Sequence, residues 1–408
     1  MPQPIYLDNA ATSFPKPACV HEAVLDYMRR VGASPGRGAY STAREGAAIV
    51  SRCRTRLSEL IGGERGGQVV FTLNATDALN LGMKGVVRAW NRRNPGRTAH
   101  VVTTAMDHNS VLRPLNAMAE SGEASWTCVD ADPESGLVEA ADVEAAIVPW
   151  TALVIVVHAS NVTGTIQPVE GIGSACKRLG VPLLVDASQS LGHLPMNVTS
   201  MGIDLLAFPG HKGLLGPLGT GGLYLRPGME TLLEPLREGG TGSASESDVQ
   251  PVALPDRFEP GSHNTPGIAG LSAAADWLLD RGVDRLRTHE ARLIEAVLDA
   301  MPGARDGFRL LGPDCVEGRV GVFSFTHEAV GPAVLASGLE ERGFLTRAGL
   351  HCAPRAHAAL GTLESGGAVR LSIGPFVDEQ AVRGAMRAMV AAASEARSER
   401  SVGFGRAR

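Results

Sequence analysis

Between about Gln68 and Leu225 the chain alternates short apolar runs with longer segments whose apolar residues recur at three- and four-residue spacing. The short runs are QVVFT, HVVTTA, ALVIVVHA, PLLVDA, DLLAF and GGLYL, and most of them lack polar alternation. Strands covered on both faces of a largely parallel sheet have that pattern. ATDALNLGMKGVVRAW, NSVLRPLNAMAESG and VEGIGSACKRLG have helical spacing, and repeated strand–helix units predict an α/β domain with right-handed crossovers. From about Gly267 the pattern changes. IAGLSAAADWLLDRGVDRLRTHEARLIEAVLDAMP predicts one or two long helices. A strand at VGVFSFTH, a helix near PAVLASGLEERG, a strand at VRLSIGPF and a last helix from Val377 to about Ala396 complete a smaller α+β lobe. The tail, SEARSERSVGFGRAR, is polar and carries glycine, which predicts disorder.

Composition narrows the class. With 408 residues, 44% hydrophobic and 20% charged, the chain is a globular protein with cores large enough to need no staples. Lys and Arg number 38 against 43 Asp and Glu, so no basic excess points to nucleic acid. The apolar runs are too short for a bilayer. MPQPIYLDNAATSFPKP has an acidic residue and prolines where a signal peptide would be basic and then apolar, so a cytoplasmic location is expected. Cys19, Cys53, Cys128, Cys176, Cys315 and Cys352 include no CxxC pair, which argues against a metal site or a redox motif. No structural disulfide is expected, and at most one of these cysteines should carry chemistry.

In open α/β sheets ligands sit beyond the carboxyl ends of the strands. The residues there are Asn74-Ala75-Thr76, Asp107-His108-Asn109, His158 through Asn161, Asp186-Ala187-Ser188-Gln189 and Pro209-Gly210-His211-Lys212. Helix capping accounts for Asn74 or Ser110. It does not account for His108, Gln189, His211 and Lys212. Lys212 enters an uncharged, glycine-rich stretch, GLLGPLGTGGLYL, with nothing acidic within several positions. Three roles compete: a phosphate-gripping Lys, a covalent cofactor anchor, and a Lys that reaches solvent. The first would need GxxxxGK followed by Ser or Thr, which is absent, as are GxGxxG and HExxH. The anchor accounts for more. A Schiff-base Lys must lose its proton near neutral pH although its free pKa is about 10.4, and apolar surroundings without a counter-charge disfavour the ammonium form. A phosphorylated pyridine aldehyde also needs an acid at the ring nitrogen and donors at the phosphate. Asp186, ending LLVD, is placed for the first, and Thr76, at a helix start, for the second.

YLDNAAT, LVDASQSLGH, GIDLLAFPGHKGLLGPLGTGGLYL and RFEPGSHNTP together resemble the class V aminotransferase superfamily, pyridoxal phosphate (PLP) enzymes of fold type I. Within it the chain most resembles the cysteine desulfurase and selenocysteine lyase family, from about Tyr6 to Ala396. The resemblance implies a large α/β domain over 14–266 with a mostly parallel seven-stranded sheet, a small α+β domain from 1–13 and 267–396, and a tail at 397–408. It implies that Lys212 anchors PLP covalently, that Asp186 keeps the ring nitrogen protonated, that Gln189 bonds the phenolate oxygen and that His108 stacks on the ring. Ala75, Thr76 and His211 match phosphate-binding positions, and Ser262 matches one supplied by a neighbouring subunit, which implies a homodimer. Asn161 and Arg370 match a clamp for the substrate α-carboxylate, a task suited to the planar guanidinium fork.

The string RAGLHCAPRAH, Arg347 to His357, resembles the family's catalytic loop. Glycine and proline around Cys352 predict a loop, and Arg347, His351, Arg355 and His357 are cations placed to favour a thiolate. The implied reaction removes sulfur from L-cysteine, or from selenocysteine or cystine as related substrates, leaving alanine and a Cys352 persulfide for an acceptor protein. His108 is placed as proton donor or acceptor at the substrate sulfur. Three features depart from the family: Pro209 where many members carry Ser, Leu350 where a second His is common, and a short Arg347–His357 loop. Other class V reactions (a selenocysteine lyase, a C–S β-lyase, an aminotransferase or an epimerase) stay open as alternatives, as does a non-catalytic PLP-binding scaffold.

Overall fold

A computed structural model describes residues 4–36, 38–63 and 68–405. A two-residue strand, β1 (Ile5–Tyr6), precedes helices α1 (Ala18–Asp26) and α2 (Ser41–Leu60). Then come β2 (Val69–Thr72), α3 (Ala75–Arg93), β3 (Ala99–Thr104), α4 (Asn109–Glu120), β4 (Ala124–Val129), α5 (Ala140–Ala145) and β5 (Thr151–Val157). This part closes with α6 (Val169–Leu179), β6 (Leu183–Asp186), β7 (Leu205–Pro209) and β8 (Gly221–Leu225). The seven strands from β2 to β8 form one sheet in the order β2-β8-β7-β6-β5-β3-β4. Only β8 runs against its neighbours, so β2, β3, β5, β6 and β7 end at the same edge of the sheet.

The expectation of strands buried on both faces holds for the interior of the sheet: every residue of β3, β5, β6, β7 and β8 is buried. β4, ASWTCV, escapes the apolar-run reading because it is the sheet's edge, where buried ends flank alternately exposed positions. The N-terminal helices also carried no predicted element. They pack on α7 (Thr265–Arg281), with Arg56 of α2 paired to Asp276 at 2.7 Å.

The segment read as one or two long helices is two, α7 and α8 (Val283–Ala300), parted at Gly282, whose φ of 79° lies in the left-handed region. The second lobe adds β9 (Phe308–Leu311), β10 (Val322–His327), α9 (Pro332–Glu341), β11 (Phe344–Leu345), β12 (Arg347–Gly349), α10 (Pro354–Ala359), β13 (Ala368–Ser372) and α11 (Glu379–Gly405). Its antiparallel sheet runs β12-β13-β10-β9, over a core that includes Phe323, Phe325, Leu371 and Met389. β1 pairs in parallel with β11, and Ser372 N donates to Leu7 O at 2.7 Å, so the first residues of the chain lie against the end of β13. One expectation is corrected. The last helix does not stop near Ala396 but continues to Gly405, through most of the tail read as disordered; 406–408 lie outside the described residues. Among the described residues no helix is long and apolar enough to cross a membrane.

Candidate active site

Lys212 stands in the connection between β7 and β8, strands that run antiparallel and must be joined by a compact turn. Gly210 N donates to Thr220 O and Gly216 N to Gly210 O, both at 2.8 Å, which draws the connection shut. The glycines answer a spatial need. A Cβ on Gly210 would collide with the Thr220 hydroxyl, and one on Gly213 would collide with the Leu191 carbonyl. The His211 carbonyl is gripped from the N-terminal segment by Ser13 N (3.0 Å), Ser13 Oγ and Thr12 Oγ1 (both 3.1 Å) and Lys16 Nζ (2.8 Å). The backbone bearing Lys212 is thereby fixed on both sides.

No carboxylate among the described residues forms an ion pair with Lys212. Burial lowers its pKa to about 8, against the opposing pull of the Asp186 carboxylate, while Arg370 and Arg347 lower it further. That is the electrostatic setting of an amine able to condense with a carbonyl group.

Lys212 opens onto a cleft of about 490 Å³ beyond the common strand edge, lined also by Ala75, Thr76, His108, Asn161, Asp186, Gln189 and His211. Asp186 ends β6 with Oδ1 accepting from Ser188 N at 2.9 Å, and it is buried. Gln189 Nε2 donates to Ala10 O at 2.9 Å, so one of its two amide hydrogens holds the N-terminal segment. Thr76 and Ala75 begin α3, whose cap is Asn74, Oδ1 accepting from Asp77 N at 2.9 Å. The buried Nδ1 of His211 has no hydrogen-bond partner, and burial lowers the ring's pKa to about 4. Pro209, at the end of β7, also lines the cleft and has no N–H to offer.

Arg370, on β13, is buried with Nη2 2.6 Å from Asp8 Oδ1 and Nη1 3.1 Å from Asn161 O. Its Nε has no partner. Asn161 in turn donates Nδ2 to His351 O at 2.7 Å. The two members of the expected carboxylate clamp therefore meet, and both also hold protein groups. Cys352 is exposed, between β12 and α10, with φ of 58° beside a φ of 50° at His351. Its carbonyl accepts from Asn109 N at 2.9 Å. The loop is thus tied to the cleft at Asn161 and at the residue after His108.

The cation cluster expected around Cys352 is not built. His351 is buried, and burial lowers its pKa to about 2. His357 is buried with Nδ1 2.7 Å from Thr362 Oγ1, and burial holds its pKa near 4. Arg355 lies over the Trp126 ring, 4.8 Å from its centroid. Local sequence placed four cations there; packing neutralised the two histidines and turned Arg355 onto an aromatic face, leaving Arg347 exposed on β12.

Ser262 is exposed and lies outside the Lys212 cleft, in a separate one lined by Leu73, Gly219, Arg237, His263 and Asn264. Sequence reasoning gave no role of their own to Asp8, Lys16 and Ser188. The first two lie in the N-terminal stretch, and Asp8 had a signal only in the YLDNAAT string. Ser110, read as a helix cap, bridges Thr76 and His108, with its Oγ 2.8 Å from Thr76 Oγ1 and from His108 Nδ1.

A family model described as aminotransferase class-V matches residues 5–384. A protein of Methanothermobacter thermautotrophicus named a probable cysteine desulfurase is 36% identical over 372 residues, 90% of either chain. A cysteine desulfurase of Haloferax volcanii is 33% identical, covering 88% of this chain and 83% of that one. Among solved structures, the apo cysteine desulfurase of Thermococcus onnurineus superimposes with a TM-score of 0.86 at 30% identity, over 96% of this chain and 95% of the other. That of Escherichia coli does so with 0.81 at 25% identity, over 95% and 94%. With a family match over nearly the whole length, on a fold whose strand ends converge on Lys212, this chain belongs to the class-V aminotransferase family.

Proposed function

We propose that the protein is a PLP-dependent cysteine desulfurase that takes sulfur from L-cysteine, releases L-alanine and holds the sulfur as a persulfide on Cys352. The observation that carries the reading is a single cleft in which a lysine with no ion-pair partner among the described residues faces the buried Asp186, beside a loop bearing an exposed cysteine. The residues present fit PLP. The α3 start with Ala75 and Thr76 and the partnerless His211 Nδ1 suit a phosphate, and Asp186 suits a pyridinium. Gln189 keeps one amide hydrogen for the phenolate oxygen. When bound, PLP supplies an electron sink that labilises bonds at the substrate's α-carbon.

The chain's own residues do the rest. Asn161 and Arg370 orient the substrate carboxylate, and the Lys212 amine, in its neutral form, takes and returns the proton at the α-carbon. The Cys352 thiolate attacks the substrate sulfur: an S–S bond forms, the C–S bond breaks, and its electron pair goes to the β-carbon, which is protonated to give alanine. His108 lines the same cleft, with its Nδ1 turned to the α4 start.

A second copy of the chain is the fit for the Ser262 cleft, since Leu73 and Leu218 beside it are 53% and 65% exposed. In that homodimer Ser262 reaches the partner's phosphate. All six cysteines are free, which accords with a cytoplasmic location. A sulfur acceptor protein completes turnover, and its addition should raise steady-state alanine release.

The test is incubation with L-cysteine, quantifying alanine against pyruvate, with mass spectrometry of the Cys352 peptide. Cys352→Ala should keep the cofactor's colour and its borohydride-trapped bond to Lys212 while losing the added sulfur. Pyruvate as product, or undiminished sulfur transfer in that variant, would falsify the proposal.

A further inference from the structure

His108 caps α4 with its ring: Ser110 N donates to Nδ1 at 3.0 Å. An N–H can donate only to a nitrogen that carries no hydrogen, so the neutral ring holds its proton on Nε2. The Ser110 hydroxyl, 2.8 Å from the same Nδ1, must then also donate to it. With its hydrogen engaged there, Ser110 Oγ accepts from the Thr76 hydroxyl, 2.8 Å away. The order of donors is therefore settled: Thr76 to Ser110 to His108.

Ser110 is buried, and the bridge joins the starts of α3 and α4 across 34 residues of sequence. The charges that bear on the ring come from several elements. Asp186, ending β6, favours the charged form, while Lys212, Arg113 and Arg347 disfavour it, and burial is the largest influence of all.

We propose that Ser110, through its backbone N–H and its hydroxyl, is a positioning residue that locks His108 as the neutral Nε2–H tautomer, making it a hydrogen-bond donor to the substrate in the cleft and not a base. This rests on the reading of the cleft as the desulfurase site, but its decisive measurement does not. Ring nitrogen chemical shifts of labelled His108, recorded on the purified chain, report the tautomer whether or not the protein turns over L-cysteine.

The wild-type chain at neutral pH should show a protonated Nε2 and a bare Nδ1. In Ser110→Ala the backbone N–H still donates to Nδ1, so the Nε2–H tautomer should persist, but the ring's titration midpoint should rise by about half a pH unit or more, since the lost hydroxyl favoured the neutral form. Ser110→Thr should restore the midpoint. In turnover, Ser110→Ala should lower kcat about tenfold with KM changed less than about twofold, a loss the size of one misplaced hydrogen bond.

A wild-type ring protonated on Nδ1, or an unchanged midpoint in Ser110→Ala, would overturn the assignment. An inactive wild-type chain with the Nε2–H tautomer would refute the desulfurase reading and leave the Ser110 lock standing.

Discussion

Asp8→Asn is the sharpest test of how the cleft is assembled. Arg370 is 2% exposed, and the Asp8 carboxylate, a fifth exposed, is its only counter-charge within ion-pair distance among the described residues, at 2.6 Å. Burial lowers the Arg370 pKa and Asp8 acts against it. Asn keeps an oxygen of the same shape but removes the charge. A hydrogen bond to a charged partner contributes roughly 1.5–3 kcal/mol against about 0.5–1.5 for a neutral one. Stranding a buried charge entirely costs roughly 3–5 kcal/mol. Arg370 still has the Asn161 carbonyl, and Asp8 is partly solvated, so the expected loss is about 2 kcal/mol.

Urea unfolding of Asp8→Asn, Arg370→Gln and the double variant closes a cycle, with a coupling expected at about 1.5 kcal/mol. The same substitution removes the charge that competes with an incoming carboxylate for Arg370, so KM for L-cysteine should fall while stability falls. A coupling within about 0.3 kcal/mol of zero would show that the pair does not hold the two ends of the chain together, and the argument from burial would fail.

Two further outcomes follow from the electrostatics. With the Lys212 pKa near 8, about one amine in ten is neutral at pH 7, whereas an unperturbed lysine would offer about one in 2,500. The rate of PLP uptake by the cofactor-free chain should therefore climb up to about pH 8 and level off; a climb continuing to pH 10 would refute the burial argument. The folded pKa lies below the unfolded one, so this group's penalty on folding is full below pH 8 and is relieved as pH rises from there towards 10.5. Arg355→Gln should weaken the seat of α10 on Trp126 by about 1 kcal/mol yet change Cys352 alkylation by iodoacetamide less than about twofold. A large drop in alkylation would restore Arg355 as a cation serving the thiol.

Much of this molecule was legible in one dimension because its strongest signals are local. Strands covered on both faces show as unbroken apolar runs, and the interior strands were found that way. Lys212 showed because its charge stood against an uncharged, glycine-rich neighbourhood. β4 was lost because an edge strand has one open side and reads as neither pattern. The tail was misread because a polar composition does not exclude a helix that continues from one already packed.

The chain's sequence alone determined the interior strands and the helices between them, the residues that stand at strand ends and the family motifs they spell, since each depends on neighbours a few positions away. Tertiary structure alone decided the charges and partners. It paired Asp8 with Arg370 across 362 positions, joined Thr76 to His108 through Ser110, and made His351 and His357 neutral by burial. A titratable group responds to whatever lies within a few ångströms, and only the folded chain sets that company.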